Sequence, residues 1–163
     1  QHVELRQGDK VSFADIASKL GFDKTSVFLY YDRYVYTERQ QRAVSALAKA
    51  VNSSKRIVVT DLTPKENSSD YIQKNAKEVL LRDCKTILKG KSPHDRYLIT
   101  SNQTGLNIWN ISNSIDYISF SDRNIDETTV GTIRQSVVFT PISKEMLDKD
   151  LWNFINNETK NGN

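Results

Sequence analysis

The chain has 163 residues, of which 37% are hydrophobic and 26% are charged, so it suits one globular domain that buries a core without disulfide or metal staples. Its formal net charge of +3 permits an anionic partner without requiring one, because nucleic-acid binders usually concentrate positive charge on one face. The single cysteine, Cys84, excludes an internal disulfide framework and an all-cysteine zinc site. No apolar run reaches the roughly 20 residues of a membrane span.

These features set our expectations about domain organisation. We expect a single domain at residues 1–157 and a polar tail at 158–163. The chain opens on Gln1 rather than Met and a strand-like run follows almost at once, so we expect a domain cut from a larger protein. The lone cysteine favours a reducing, cytoplasmic compartment.

The first predicted elements are a short helix and a strand. Ser12, with Asp15 three positions later, forms a capping-box pattern, and Gly21 stops the helical periodicity that follows. The run 26–36, SVFLYYDRYVY, is rich in β-branched and aromatic residues, which predicts a mostly buried strand. Asp32 interrupts its apolar stretch.

A helix and a second strand come next. Thr37 and Gln40 repeat the capping-box pattern, and apolar residues at helical spacing continue to Val51. Residues 56–60, RIVVT, form a compact β-branched run that predicts a strand. Parallel strands need a crossover of this kind, so the pattern predicts a βαβ unit.

The second half predicts one more helix, several adjacent strands and a closing helix. This order favours an α/β fold with a mixed β-sheet flanked by helices, parallel in its first half and antiparallel in its second. The predicted elements are a polar loop at 63–69, a helix at 70–82, strands at 84–88, 94–100, 106–120 and 134–140, the last broken by Pro141, and a helix around 147–155.

Candidate chemistry concentrates in residues 93–101, PHDRYLITS. Successive side chains alternate along a strand, so His94 and Arg96 share one face and Asp95 takes the other. The pair suits a phosphodiester, because a guanidinium holds non-bridging oxygens in a fork while a neutral imidazole attacks phosphorus or accepts a proton. In the alternative interpretation, His94 caps the preceding turn and Arg96 pairs with a nearby acid such as Asp95 or Asp116.

Two further groups of side chains have both a functional and a structural interpretation. Asp32 and Asp61, at or near strand ends, carry carboxylates that suit a metal, but no compact ligand cluster accompanies them, so we expect neither a metal nor another cofactor. A basic patch around the first crossover, with tyrosines that stack on bases, would bind nucleic acid, or it is a solvated helix face. The patch comprises Arg39, Arg42, Lys49, Lys55 and Arg56, with Tyr34 and Tyr36.

The run 94–116, HDRYLITSNQTGLNIWNISNSID, resembles the second half of the signature of phospholipase D-like domains. In that signature, His-x-Lys on a strand is followed by an acid and then by a Gly-Ser-type turn. The run is especially similar to the variant of bacterial members, where His-Asp-Arg and an apolar strand precede a Trp-containing strand and a Ser-rich turn. Residues 30–34, the helix after them and RIVVT also resemble the early strand and crossover of this family. The resemblance spans roughly Val27 to Asp116 and implies an α-β-α sandwich.

The resemblance also implies roles for individual residues. His94 would be the nucleophile that forms a phosphohistidine, and Arg96 would stand where the family has its phosphate-binding lysine. Ser112 and Ser114 would fall in the Gly-Ser turn. We further expect Asp32 and Asp116 to contribute to substrate binding, together with these two serines.

Three departures from the family pattern bear on activity. Lysine is replaced by Arg96, the expected acid is Ser101, and the turn glycine is Ser112. Two His-containing motifs normally converge on one site in this family, whereas this chain supplies one, since His2 lacks the surrounding pattern. Activity would therefore require a homodimer or a second half elsewhere in the parent protein.

The sequence thus predicts a phospholipase D-like domain that acts on or binds phosphodiesters, foremost nucleic acid. If it is active, the resemblance implies metal-independent hydrolysis in which His94 attacks phosphorus and Arg96 offsets the developing charge. Two alternatives remain open. One is a catalytically inactive domain of the same fold that serves in protein assembly or anionic-ligand sensing, and the other is an unrelated α/β interaction domain.

Overall fold

The computed structural model describes residues 1–22, 27–35, 37–60, 84–88, 95–102, 105–122 and 124–160. In this part of the chain, a seven-stranded mixed sheet and a three-stranded sheet combine with three α-helices. No helix among these residues is long and apolar enough to cross a membrane. The elements are β1 Val3–Leu5, β2 Lys10–Val11, α1 Phe13–Lys19, β3 Val27–Tyr31, α2 Glu38–Val51, β4 Lys55–Thr60, β5 Lys85–Leu88, β6 Arg96–Asn102, β7 Gly105–Ile111, β8 Ile118–Ser119, β9 Gly131–Ile133, β10 Val137–Ile142 and α3 Lys149–Lys160.

Both predicted capping boxes form. Ser12 caps α1 by accepting a hydrogen bond from the backbone of Asp15, whose carboxylate accepts one from Ser12 in return. Thr37 and Gln40 make the same reciprocal pair at the start of α2. These caps satisfy backbone donors that the first turn of a helix leaves unpaired, so both helices begin where the sequence predicts.

The large sheet has the strand order β1-β10-β7-β6-β3-β4-β5. Strands β3, β4 and β5 run parallel, and β3 pairs antiparallel with β6 on its other side. The remaining neighbours, β6 with β7, β7 with β10 and β10 with β1, are also antiparallel. The predicted mixed sheet, parallel in its first half and antiparallel in its second, is confirmed, and α2 is the crossover of the predicted βαβ unit.

Helices cover both faces of this sheet. Alternate residues of β3 contribute to two hydrophobic clusters: Phe28 and Tyr30 pack on the side of α1 and α2, whereas Leu29 and Tyr31 pack on the side of α3. The three-stranded sheet, with strand order β2-β9-β8, adds its apolar residues to the first cluster. Strands buried on both faces explain the nearly continuous apolar runs of β3 and β4.

The strand predicted at 26–36 is shorter than expected. β3 ends at Tyr31, and the carboxylate of Asp32 accepts a hydrogen bond from the backbone nitrogen of Tyr34 at 2.9 Å. An aspartate that binds the backbone two residues on closes a turn, and this turn competes with continued strand pairing. Asp32, which interrupts the apolar run in the sequence, therefore marks the end of β3.

The single extended stretch predicted at 106–120 is also divided. β7 ends at Ile111, and after an intervening turn β8 pairs with β9 in the other sheet. The last strand, by contrast, continues further than predicted, since β10 runs through Pro141 to Ile142. β1 pairs only as far as Phe139, so Pro141 lies where β10 has become an edge and a missing N–H costs no ladder hydrogen bond on that side.

Some predicted elements lie outside the described residues. These are the loop at 63–69, the helix at 70–82 and the first residue of the strand predicted at 94–100. At the other end of the chain, α3 extends to Lys160, and Thr159 is buried with its hydroxyl bound to the carbonyl of Ile155.

Candidate functional site

Three strand ends meet at one edge of the large sheet. Tyr31 at the end of β3 pairs with Tyr97, and Arg96 at the start of β6 pairs with Ile111 at the end of β7. After β3 the chain adds β4 and β5 on one side of this strand and then β6, β7 and β10 on the other, so the strand order reverses at β3. Ligands of open α/β sheets bind outside the carboxyl ends of strands at such a point.

An ion pair occupies this edge. Arg96 Nε lies 3.2 Å from Asp32 Oδ2, and the side chains of these residues are 20% and 2% exposed. Asp32 is 64 positions away in sequence, and it takes the place of Asp95 or Asp116, which the alternative interpretation expects to pair with Arg96. The antiparallel pairing of β3 with β6 brings the two together, because Asp32 directly follows Tyr31 and Arg96 directly precedes Tyr97.

A third side chain, that of Tyr30, hydrogen-bonds to this ion pair. Its hydroxyl donates to Asp32 Oδ2 at 2.7 Å. Burial, followed by the negative charge of Asp32, raises the pKa of Tyr30 well above that of an ordinary tyrosine, so its hydroxyl stays protonated and remains a donor. Sequence reasoning missed this residue because an aromatic side chain in an apolar run is normally core. The signal was its spacing, since residues two apart on a strand share a face.

The turn after β3 is held by the neighbouring parallel strand β4. Asp32 N donates to the carbonyl of Val59 on β4. The buried hydroxyl of Thr60 accepts from Val35 N and donates to the carbonyl of Arg33, both at 3.3 Å. These bonds hold the carboxylate of Asp32 in position before any ligand arrives.

Arg96 also lies against an aromatic ring. Its guanidinium carbon is 5.8 Å from the ring centroid of Tyr34, and that of Arg33 is at the same distance. A ring beneath the guanidinium and a carboxylate at Nε restrict its rotation. Among the described residues, the two Nη atoms of Arg96 have no hydrogen-bond acceptor, so they are the donors that a ligand would meet.

The turn after β7 contributes a second carboxylate. The Ser114 hydroxyl donates to the side chain of Asp116, and the carbonyl of Asp116 accepts from Arg39 Nη2 at 3.0 Å. The negative charge of Asp116 also contributes to the raised pKa of Tyr30, which places it in the electrostatic surroundings of the Asp32–Arg96 pair. Ser114 and Asp116 thus belong to the same edge of the sheet.

Ser112 has a different position. Its hydroxyl accepts from Val138 N at 2.8 Å, and its own nitrogen donates to the Val138 carbonyl at 2.9 Å. The residue therefore extends the pairing of β7 with β10. Of the four predicted substrate-binding residues, Asp32 pairs with Arg96, Ser114 and Asp116 lie in the turn after β7, whose last residue pairs with Arg96, and Ser112 is engaged with β10.

The predicted nucleophile His94 lies outside the described residues, as does Asp61. Ser101, which stands where the family has an acid, pairs with Val27 and Leu106 at the other end of β6. At roughly 3.3 Å per residue, that is about 17 Å from Arg96. In the described ranges, no group of three or more His, Cys, Asp or Glu side chains is arranged to hold a metal ion.

The predicted basic patch is divided in the structure. Arg39 and Arg42 line a cavity beside α2. Lys55 instead donates to the carbonyl of Glu158 on α3 at 2.9 Å, across the opposite face of the sheet, and Tyr34 lies with Arg96. The patch is therefore neither a single surface nor only a solvated helix face, and Tyr36 lies outside the described residues.

Comparison with known proteins adds no family. No protein-family model matches the chain, and no curated protein matches it either. The resemblance to phospholipase D-like domains accordingly stays a prediction that rests on the motifs.

Proposed function

We propose that this domain binds phosphodiesters, foremost nucleic acid, at the edge where Arg96 pairs with Asp32, as a module of the phospholipase D-like kind. The observation that carries the proposal is the fixed guanidinium of Arg96, held at Nε by a buried carboxylate. Planar guanidinium groups bind two phosphate oxygens through paired N–H donors. Holding Nε in advance lowers the entropy that Arg96 loses when its Nη atoms bind such oxygens.

Other groups at the same edge of the sheet support the proposal. Tyr30 and the backbone of Tyr34 also donate hydrogen bonds to Asp32, so the carboxylate is fixed where it orients Arg96. The parallel strands β3 and β4 end here, and the α2 helix begins close behind, which adds a positive helix end to the same side. A phosphodiester is the anion that best fits this combination with the His-x-Arg motif.

In the catalytic form of the proposal, an imidazole nitrogen of His94 attacks phosphorus. A P–N bond forms, the P–O bond to the leaving group breaks, and a histidine of a second subunit gives the leaving oxygen its proton. Water then cleaves the P–N bond and restores His94. Arg96 offsets the negative charge that develops on the phosphoryl oxygens.

The alternative is a catalytically inactive module of the same kind, used in protein assembly or in sensing an anionic ligand. Asp32 supports it, because this buried carboxylate already neutralises the charge of Arg96. The serine at position 101, where an acid is expected, supports it as well. An inactive module would keep the anion-binding edge and lack turnover.

A cleavage assay on labelled single- and double-stranded DNA and RNA, with chelator present, tests the proposal. We expect chelator-resistant cleavage that His94→Ala abolishes. The matched control is His2→Ala, which removes the only other histidine of the chain and should leave cleavage unchanged. Arg96→Lys, which restores the family's residue, should retain activity.

The outcomes separate the two forms of the proposal. Nucleic-acid binding that Arg96→Ala weakens, without cleavage by any variant, would establish the inactive module. Cleavage that persists in His94→Ala would point to a contaminating nuclease and refute the catalytic form. Absence of both binding and cleavage at high protein concentration would refute the proposal as a whole.

A further inference from the structure

A cavity of about 820 Å³ lies between the first turns of α2 and residues 116–122, 124 and 125. Arg134, just after β9, closes it from the side of the three-stranded sheet. This volume falls within the roughly 300–1,000 Å³ of small-molecule sites. We propose that the cavity binds one nucleotide unit, with the phosphate on its arginines and the sugar and base on its remaining wall.

The cationic part comes from two sides. Arg39 and Arg42 lie one turn apart on the same face of α2, near its positive N-terminal end, and Arg134 lines the cavity from the position just after β9. Arg39 is held in place, because its Nη2 donates to the carbonyls of Asp116 at 3.0 Å and Ile118 at 3.3 Å. Its Nε and Nη1 donors have no acceptor among the described residues, so they can bind phosphate oxygens.

The rest of the lining excludes a bare, highly charged anion as the best ligand. Asp116 and Asp122 lie in the same cavity, so its lining within the described part of the chain combines three arginines with two aspartates. A small excess of arginines over carboxylates suits a group with one or two negative charges, such as a phosphodiester or a 5′-monophosphate, better than a polyphosphate. The two carboxylates would repel additional phosphates. Together with the side-chain oxygen of Asn124, they accept hydrogen bonds from sugar hydroxyls and base amino groups.

The apolar wall provides a place for the base. Phe120 and Ile125 are half-buried and line the cavity, and Phe120 is supported from behind by Phe13, with ring centroids 6.0 Å apart. Aromatic side chains stack on the faces of nucleobases irrespective of sequence. The arginines match the phosphate of a nucleotide, the hydrogen-bond acceptors match its sugar, and the aromatic ring matches its base. Inorganic phosphate or a nucleoside alone would use only part of this lining.

This inference is independent of catalysis at Arg96, although the two sites are neighbours through Asp116. A free nucleotide and a nucleotide unit within a nucleic-acid strand share the same chemistry. In the second case the cavity would hold a unit of the strand whose phosphodiester lies at Arg96. The experiment distinguishes the two sources.

We would titrate ¹⁵N-labelled protein with adenosine 5′-monophosphate and uridine 5′-monophosphate, and in parallel with inorganic phosphate, adenosine and a short single-stranded oligonucleotide. The mononucleotides or the oligonucleotide should shift the amide signals of residues 118–125 and Arg134, and bind more tightly than phosphate or adenosine. Arg134→Ala should weaken binding by about tenfold, the loss expected for one charge-assisted hydrogen bond. The control Lys160→Ala removes the same charge from the last turn of α3, on the opposite face, and should leave binding unchanged.

Each result decides the inference. Tighter binding of the oligonucleotide at the same amides identifies a unit of a strand, and binding of mononucleotides alone identifies a free nucleotide. Unshifted cavity amides, equal binding of phosphate and mononucleotide, or an Arg134→Ala variant that binds normally would overturn it. Shifts confined to the amides around Arg96 would overturn this inference and leave the proposed function intact. Nucleotide binding in the cavity without any oligonucleotide binding would support this inference and count against the proposed function.

Discussion

Two tyrosine–aspartate pairs lie at the same end of the sheet, on opposite faces. Tyr30 donates to Asp32 at 2.7 Å, and Tyr97 donates to Asp95 at 3.5 Å. In both pairs the partners are two positions apart, so they share one face of the chain. Asp32 is buried and also binds Arg96, whereas Asp95 is exposed to solvent.

The comparison shows that spacing alone does not set the strength of such a pair. A hydrogen bond of 3.5 Å is at the limit of the normal range, and water competes for an exposed carboxylate. A buried carboxylate has no such alternative, so each lost partner costs its full desolvation energy. The candidate site at this edge therefore depends on the buried pair, and three experiments test this difference.

The largest expected effect is that of Asp32→Ala. It leaves Arg96 without its counter-ion and Tyr30 without its acceptor, so the free energy of unfolding should fall by about 3 kcal/mol, the lower end for a broken buried ion pair because Arg96 is partly exposed. The matched variant Asp95→Ala should cost less than about 1 kcal/mol. Urea unfolding followed by circular dichroism measures both, and equal losses would contradict the distinction.

An intermediate effect is expected for Tyr30→Phe, which removes only the hydroxyl. A hydrogen bond to a charged group contributes about 1.5 kcal/mol, and the free energy of unfolding should fall by that amount. Tyr97→Phe, the control on the opposite face, should change it by less than about 0.5 kcal/mol at neutral pH, because its bond to Asp95 is long. A larger loss for Tyr97→Phe would show that the exposed pair carries more energy than its geometry indicates.

The smallest effect appears only at high pH. Burial, and then the charge of Asp95, raises the pKa of Tyr97 to about 12. An unfolded tyrosine ionises near pH 10, so Tyr97 contributes stability that is complete below about pH 10 and is lost as the pH rises towards about 12. Between about pH 9 and pH 11, wild-type protein should lose on the order of 1 kcal/mol more than Tyr97→Phe. Identical losses in the two proteins would contradict the raised pKa.

The helices could be predicted closely because their signals are local. Ser12 with Asp15 and Thr37 with Gln40 define the starts of α1 and α2, and each cap involves residues three positions apart. The mixed sheet could also be predicted, since strands joined by a helix pair in parallel and strands joined by short connections pair antiparallel. These inferences need no knowledge of distant residues.

The candidate site could be predicted only in part. Arg96 was identified from its motif, but its partner was expected among the nearby acids, and the structure gives Asp32. The carboxylate of Asp32 both ends β3 and pairs with Arg96. Neither role can be recognised from the residues next to Asp32 in the sequence. The cavity beside α2 was not predicted, because the three arginines that line it lie on α2 and just after β9.

The sequence by itself determined where α1 and α2 begin, the change from parallel to antiparallel pairing along the large sheet and the residue types available for phosphate binding. Only the tertiary structure decided which side chains meet: Asp32 with Arg96, Tyr30 beneath them, and Arg39 with the carbonyls of Asp116 and Ile118. The physical reason is that caps and periodicity act within one or two turns of a helix or along one strand. Contacts between remote residues follow from strand order and register, which the whole core selects.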